Sequence, residues 1–275
     1  MGFANYAAII AALTAGKGQP NYWSKPSVSA VASTFTSLWN IAGMPVAGTF
    51  GTALTARAID RTSTGAISFT NPVSPANLFL STALANSQNA GTILFYDRLA
   101  EYPLTGGSLS GNFAAVALPA RDQDGTTAGR GVFLFVENAN ASAVNSNVTV
   151  TITYTNSAGI AGRVMPAFTA LAASQHGLAN PTQPYQPLFG TDVGVRSIDS
   201  YSTNVGLLSS QINIVLARPL FTLSLHKAFI PYDRDFVLQR ASLPRLYDGA
   251  AIGVLALSNQ ATSGNASGRI ETVEG

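Results

Sequence analysis

Residues 147–155 read NVTVTITYT, and their alternation decides the fold class. Val148, Val150, Ile152 and Tyr154 share one face of an extended strand and the threonines share the other, the pattern of a strand half-buried against a core. Upstream, residues 132–136 (VFLFV) run into the turn-forming Asn-Ala-Asn-Ala-Ser, and residues 92–96 (TILFY) and 112–118 (NFAAVAL) are compact apolar runs. Residues 46–58 and 66–70 carry the small and branched side chains of strands. Downstream come 211–216 (QINIVL), 221–225 and 252–257 (IGVLAL). Such segments recur at intervals of roughly ten to twenty residues with Gly, Asn, Pro and Ser between them, as in sandwiches and jelly rolls. The expected fold is all-β.

Three segments read as helix instead. Phe3, Ala7, Ile10 and Thr14 fall at helical spacing within residues 3–15, and Gly16 supplies a C-terminal stop. So short a helix has little core of its own and must lie on another surface, in its own domain or on a neighbour. Residues 75–85 (PANLFLSTALA) open with Ser74 as an N-cap and Pro75 at the first helical position; residues 166–175 (PAFTALAASQ) end before Gly177. Three prolines between Gly177 and Asp192 force an extended path, a linker or a strap. The expected organisation is an arm at 1–26, a β-rich portion at 27–176, the proline-rich segment at 177–192 and a second β-rich portion at 193–275. A faint internal echo suggests two related halves. Leu118-Pro119, Asp124-Gly125 and the strand from Gly131 match Leu243-Pro244, Asp248-Gly249 and the strand from Gly253, and Tyr-Asp-Arg occurs at 96–98 and 232–234. Turn chemistry alone also accounts for these repeats.

Of 275 residues, 47% are hydrophobic and only 10% charged, against about a quarter charged in ordinary soluble domains. High hydrophobicity excludes a disordered tail, and the absence of cysteine excludes a disulfide scaffold or a thiolate metal site. The net charge of +2 is not gathered into a nucleic-acid stripe. Residues 1–59 hold no acid, and only Lys17, Lys25 and Arg57 carry charge there. Residues 7–15 could form the apolar centre of a signal peptide, but no cation precedes them. No apolar run reaches the roughly 18 residues that span a bilayer. The alternating strands of an outer-membrane barrel are countered by runs apolar on successive residues. A surface so poor in charge associates readily, since interface cores lack Lys, Glu and Asp.

Motifs for chemistry are missing. His176 and His226 lie far apart with no zinc-type spacing around them. Asp122, Asp124 and Gly125 start like a calcium loop that lacks its closing glutamate, so a turn is expected. Gly16-Lys17-Gly18 is no P-loop, and no G-x-S-x-G elbow occurs. Asp97, Glu101, Asp233, Asp235 and Asp248 could supply the paired carboxylates of a glycosidase, but each has an arginine nearby in sequence. Asp97-Arg98, Asp233-Arg234-Asp235 and Arg245 with Asp248 read as ion pairs that lock subunits together. With Phe3, Ile10, Lys17, Tyr22, Trp23 and Lys25 from the amino end they form the expected interface set. Tyr22, Trp23 and Trp39 would be covered by the arm or by a partner. No catalytic residue, cofactor or metal is expected.

Residues 1–23 (MGFANYAAIIAALTAGKGQPNYW), the charge-poor Ala/Ser/Thr/Asn body and residues 232–257 (YDRDFVLQRASLPRLYDGAAIGVLAL) resemble virion structural proteins of tailed bacteriophages. Among them the chain is most like those that decorate or cement the capsid. That resemblance implies a β-sandwich or jelly roll forming a homotrimer on the capsid surface, assembled in the host cytoplasm, with the major capsid protein as partner. It implies no reaction, no direct nucleic-acid contact and no membrane. Head-to-tail, tail, receptor-binding or glycan-binding roles and, less readily, a polysaccharide-cleaving enzyme are the alternatives. An arm reaching a neighbour would leave a folded β protein when residues 1–26 are deleted.

Overall fold

The computed structural model describes residues 3, 5–52, 54–104, 109–138, 148–169, 176–178, 183–205, 212–239 and 243–275. In chain order its elements are α1 (Tyr6–Thr14), β1 (Gly18–Lys25), β2 (Thr34–Ser37), β3 (Arg57–Ala58), β4 (Leu78–Ser87), β5 (Gly91–Pro103), β6 (Ser110–Asn112), β7 (Phe133–Asn138), β8 (Thr149–Asn156), β9 (Arg163–Val164), β10 (Phe168–Thr169), β11 (Val195–Thr203), β12 (Ile212–Leu225), β13 (Tyr232–Asp235), α2 (Phe236–Gln239), β14 (Arg245–Leu246), β15 (Ile252–Ser258) and β16 (Ala266–Glu274). The protein is all-β, with antiparallel pairing between the named strands.

The central sheet runs β2-β15-β5-β12-β7, with β3 on β5. Its two edges nearly meet. Gly177 bridges Thr36 of β2 and Leu178 bridges Glu137 of β7, so one short segment closes the sheet into a barrel. Backbone hydrogen bonds seal the seam: Ser37 N–H to His176 O at 2.8 Å, Leu178 N–H to Phe35 O and Asn138 N–H to Gly177 O at 2.9 Å. The proline-rich segment is thus a strap across the chain's own seam, its remaining described part tied by Gln186 N–H to Leu134 O.

Long strands let one barrel serve two further sheets. β5 and β12 have 13 and 14 residues, over 40 Å at about 3.3 Å per residue. Each carries an extra residue, Leu99 and Leu220, at a register shift. A bulge exchanges the parity that faces inward. Leu94 and Tyr96 point into the barrel with Phe35, Phe135, Val215, Ala217 and Leu255. Ile93, Phe95, Phe221, Leu223 and Leu225 point outward, packed with Trp23, Leu78, Leu80 and Ile270. Those four belong to the sheet β1-β16-β4-β13, with β14 on β4. Tyr102, Ile212, Ile214 and Leu216 pack with Val150, Ile152, Tyr154, Ile198 and Tyr201. The last five come from the sheet β10-β8-β11-β6, with β9 on β8.

The strand at 147–155 stands as β8, with buried Val150, Ile152 and Tyr154 alternating as expected; Asn147 lies outside the described residues. α1 also forms. Asn5 Oδ1 accepts the Ala8 N–H at 2.9 Å. At the other end Gly16 takes φ +74°, and Lys17 N–H to Ala12 O with Gly16 N–H to Leu13 O complete the stop.

The expected helix at 75–85 is a strand instead. Leu78, Leu80, Ala83 and Ala85 are buried, and a bulge at Ser81 spaces them two, three and two apart, which imitates helical spacing in the sequence. Pairing with β16, β13 and β14 overrides the helix-favouring Ala and Leu. In the expected helix at 166–175, Phe168 and Thr169 pair with β8; residues 170–175 lie outside the described residues. Among the described residues, only Arg57 and Ala58 of the strand expected at 46–58 are paired, only Ile67 of 66–70 makes a bridge, and 112–118 is strand only at Asn112.

All three sheets combine strands from 27–176 with strands from 193–275, so these portions do not form separate sheets. Nor is 1–26 a free arm, because β1 zips along β16 from Gly18–Val273 to Lys25–Ala266. The two echoed strands, β7 and β15, both lie in the barrel sheet, and the echoed Gly125 and Gly249 both have positive φ.

Candidate interaction surface

Of the three expected ion-pair groups only Asp97-Arg98 faces inward, and its two members answer to other partners. Arg98 and Glu101 project into the barrel, where Arg98 lies 2.8 Å from Glu101 and 2.6 Å from Glu137, all three with fully buried side chains. Asn213 donates to both carboxylates at 3.2 and 3.3 Å. Arg57, on the rim, pairs with Glu101 at 2.5 Å, so two cations face two anions. Burial opposes the Arg98 charge, but Glu137 and Glu101 outweigh it and hold the guanidinium more firmly protonated than usual. Burial would raise Glu101, but Arg98 and Arg57 hold its carboxyl below the usual range.

Asp97, one residue away, points to the outer face. It accepts the Ala251 N–H at 3.0 Å and sits 3.5 Å from Arg121 and 3.7 Å from Arg218. Burial pushes its carboxyl up despite those two cations. Asp97 and Arg98 therefore tie together parts of this one chain, not subunits, because neither has any exposed surface.

Three residues toward the amino end are also internal. Trp23 is 1% exposed and meets Phe95 edge-on at 5.8 Å, and Trp39 is equally buried beneath the Arg98 guanidinium. Lys25 is buried with Nζ donating to Ile41 O and Pro45 O, both at 2.7 Å; burial lowers it to about 8. Trp23 and Lys25 thus leave the candidate interface.

The others reach the surface. Phe3 rests on Phe79 at 5.4 Å, while Ile10, Lys17 and Tyr22 are exposed. Asp233, Arg245 and Asp248 are exposed and Arg234 is partly so. The expected ion pairs among Asp233, Arg234 and Asp235, and between Arg245 and Asp248, are not among those the described residues make. Arg234 donates to Thr222 O and lies over Phe236, Arg245 lies over Tyr247, and Asp235 caps α2 through the N–H groups of Val237 and Leu238.

The turn read at Asp122 is what forms. Its carboxylate accepts the N–H groups of Asp124, Thr126, Gly129 and Arg130 and the Thr126 hydroxyl. Among the described residues no group of acids or histidines could hold a metal ion, and no helix is long and apolar enough to cross a membrane. His176 has φ +55° at the seam, and His226 packs edge-on to Tyr232 at 5.6 Å.

The fold makes a charge-poor surface poorer still. Lys25, Arg98, Arg121, Arg218, Asp97, Glu101, Asp122 and Glu137 are buried, leaving at most 20 of the 28 charged side chains for 11256 Å² of surface, about 560 Å² each. Large apolar side chains occupy that surface: Val73 at 82%, Phe229 at 71%, Leu238 at 70% and Val46 at 64% exposure.

Two features stand out on the sheet that contains β4. A groove of about 430 Å³ lies between α1 and α2, lined by Tyr6, Ile10, Leu13, Val237 and Leu238 on its apolar side and by Asp235 and Glu271, with no lysine or arginine. Glu271 also accepts the Thr82 hydroxyl at 3.0 Å and lies 3.7 Å from Arg269. Elsewhere, residues 226–231 form the tip joining β12 to β13. There Phe229 holds φ +60° with its N–H bonded to Ser87 O, beside exposed His226, Lys227 and Ile230. Neither feature is signalled by a motif; an apolar Phe-Ile pair between a lysine and a proline was the only hint of the tip.

No protein-family model matches the sequence, and no curated protein does. Among solved structures, the VP2 subviral particle of infectious bursal disease virus aligns at TM-score 0.20 and 7% identity, over 94% of this chain and 79% of that one. The VP1 pentamer of human polyomavirus 6 aligns at 0.18 and 11%, over 94% of each chain. Likeness this slight carries no argument about function.

Proposed function

We propose that this is a non-enzymatic structural protein of a virion, a homo-oligomer that binds across capsomers and stabilises the capsid as a decoration or cement protein. The observation that carries the reading is the surface itself: the fold withdraws eight charges into the interior and leaves bulky apolar side chains outside. Buried apolar area stabilises by roughly 25 cal/mol per Å² before association costs, so faces of this kind favour contact with neighbours. The bacteriophage resemblance of residues 1–23 and 232–257 supports the virion assignment, a homotrimer and the major capsid protein as partner. The arrangement needs no cofactor. Its action would be passive, adding interface free energy where capsomers would otherwise separate.

The test is native mass together with retention on particles. An oligomer that co-sediments with purified capsids and raises their disruption temperature is the expected result. A monomer at millimolar concentration that leaves capsids unprotected would overturn the reading.

A further inference from the structure

We infer that the tip at Phe229 and Ile230 of one copy seats in the α1–α2 groove of the next, forming a head-to-tail interface within the homo-oligomer; this rests on the oligomeric reading above. The two features match in chemistry. The tip offers two apolar side chains, 71% and 44% exposed, next to Lys227, which makes no ion pair among the described residues. The groove offers an apolar wall in which Tyr6, Ile10 and Leu238 remain 51%, 44% and 70% exposed, and its charged lining is wholly acidic. A cation beside an apolar knob meets carboxylates beside an apolar slot. Its volume of about 430 Å³ admits two large side chains.

The tip cannot fill the groove of its own chain. Phe229 is anchored at Ser87, whereas the groove opens at Thr82 of the same strand, roughly 17 Å away at about 3.3 Å per residue. Knob and slot are therefore different patches of one surface, the condition for a heterologous contact that closes into a ring when the rotation permits. The backbone of Phe229 points the same way. A left-handed conformation is costly for a bulky non-glycine residue, yet here it holds an aromatic ring in solvent and not in the core. Strain of that kind is characteristic of functional positions.

The experiment compares native mass by sedimentation for the full chain and for Phe229→Gly, Leu238→Glu and the control Val73→Glu, whose parent side chain is more exposed than either. Phe229→Gly and Leu238→Glu should each weaken association about tenfold or more. Val73→Glu should not. Phe229→Gly should melt no lower than the parent, since glycine tolerates φ +60°; a merely structural Phe229 would lower the melting temperature. Mixing the two defective variants should restore pairing, because one retains the slot and the other the knob, and should stop at dimers. If the parent oligomerises and both variants do so equally well, or if Val73→Glu is as damaging, the docking is wrong while the oligomer stands. A monomeric parent would overturn both.

Discussion

Replacing Arg98 with methionine should strand a carboxylate inside the barrel. Glu101 keeps Arg57 at 2.5 Å and the Gly51 N–H at 2.9 Å, but Glu137 loses its only ion-pair partner among the described residues and retains Asn213 at 3.3 Å. Breaking one side of a fully buried pair costs about 3–5 kcal/mol, because the remaining charge stays desolvated. Domains of somewhat smaller size lose about 2–4 °C per kcal/mol, so the melting temperature should fall by on the order of 10 °C. The double variant Arg98→Met/Glu137→Gln removes the stranded charge and should recover much of the loss. Glu101 is held below its unfolded value in the parent, so its contribution is present above a pH of about 4.3 and fades as pH falls. Urea titrations of all three proteins at neutral pH measure the loss and its recovery. A loss under about 1 kcal/mol for Arg98→Met, or a double variant weaker than the single, would refute the buried-pair account.

Lys25 is lowered to about 8 by burial, so between pH 8 and its unfolded value near 10.4 the unfolded chain binds more protons and stability should climb with pH; Lys25→Met should flatten that limb in denaturant titrations. Asp192, held to about 2 chiefly by its hydrogen bonds with Arg163, should contribute stability above a pH of about 4 that disappears toward 2, and Asp192→Asn should lack this acid limb. A Cβ on Gly253 would lie 2.4 Å from the Tyr96 ring, so Gly253→Ala should cost about 1–3 kcal/mol by overpacking, read from thermal unfolding. Removing residues 1–16 should leave a folded protein by circular dichroism. Removal of 1–26 should not, since it takes away β1 and Trp23.

The class of fold was legible because β8 alternates cleanly and β5, β7, β12 and β15 are dense in apolar side chains. β4 was not, because its bulge at Ser81 breaks the period of two. Nor was the barrel, whose closure depends on two bridges from Gly177 and Leu178, residues with no strand pattern around them. Adjacent charges invited the wrong partners. Asp97 and Arg98 are neighbours in sequence but point to opposite faces of β5, so Asp97 answers to Arg121 and Arg218 and Arg98 to Glu101 and Glu137, all but Glu101 distant in sequence. A charge embedded in an apolar strand signals an internal partner without naming it. The groove was invisible for another reason: its parts come from α1, β4, α2 and β16, far apart in sequence.

That joining of distant segments has a consequence for synthesis. Gly18 waits for Val273 and Lys25 for Ala266, so β1 cannot find its companion until residues 266–273 have left the ribosome. Glu271 on β16 also lines the groove, so the groove forms only after β1 and β16 have met, and a chain that stops short of β16 would lack it.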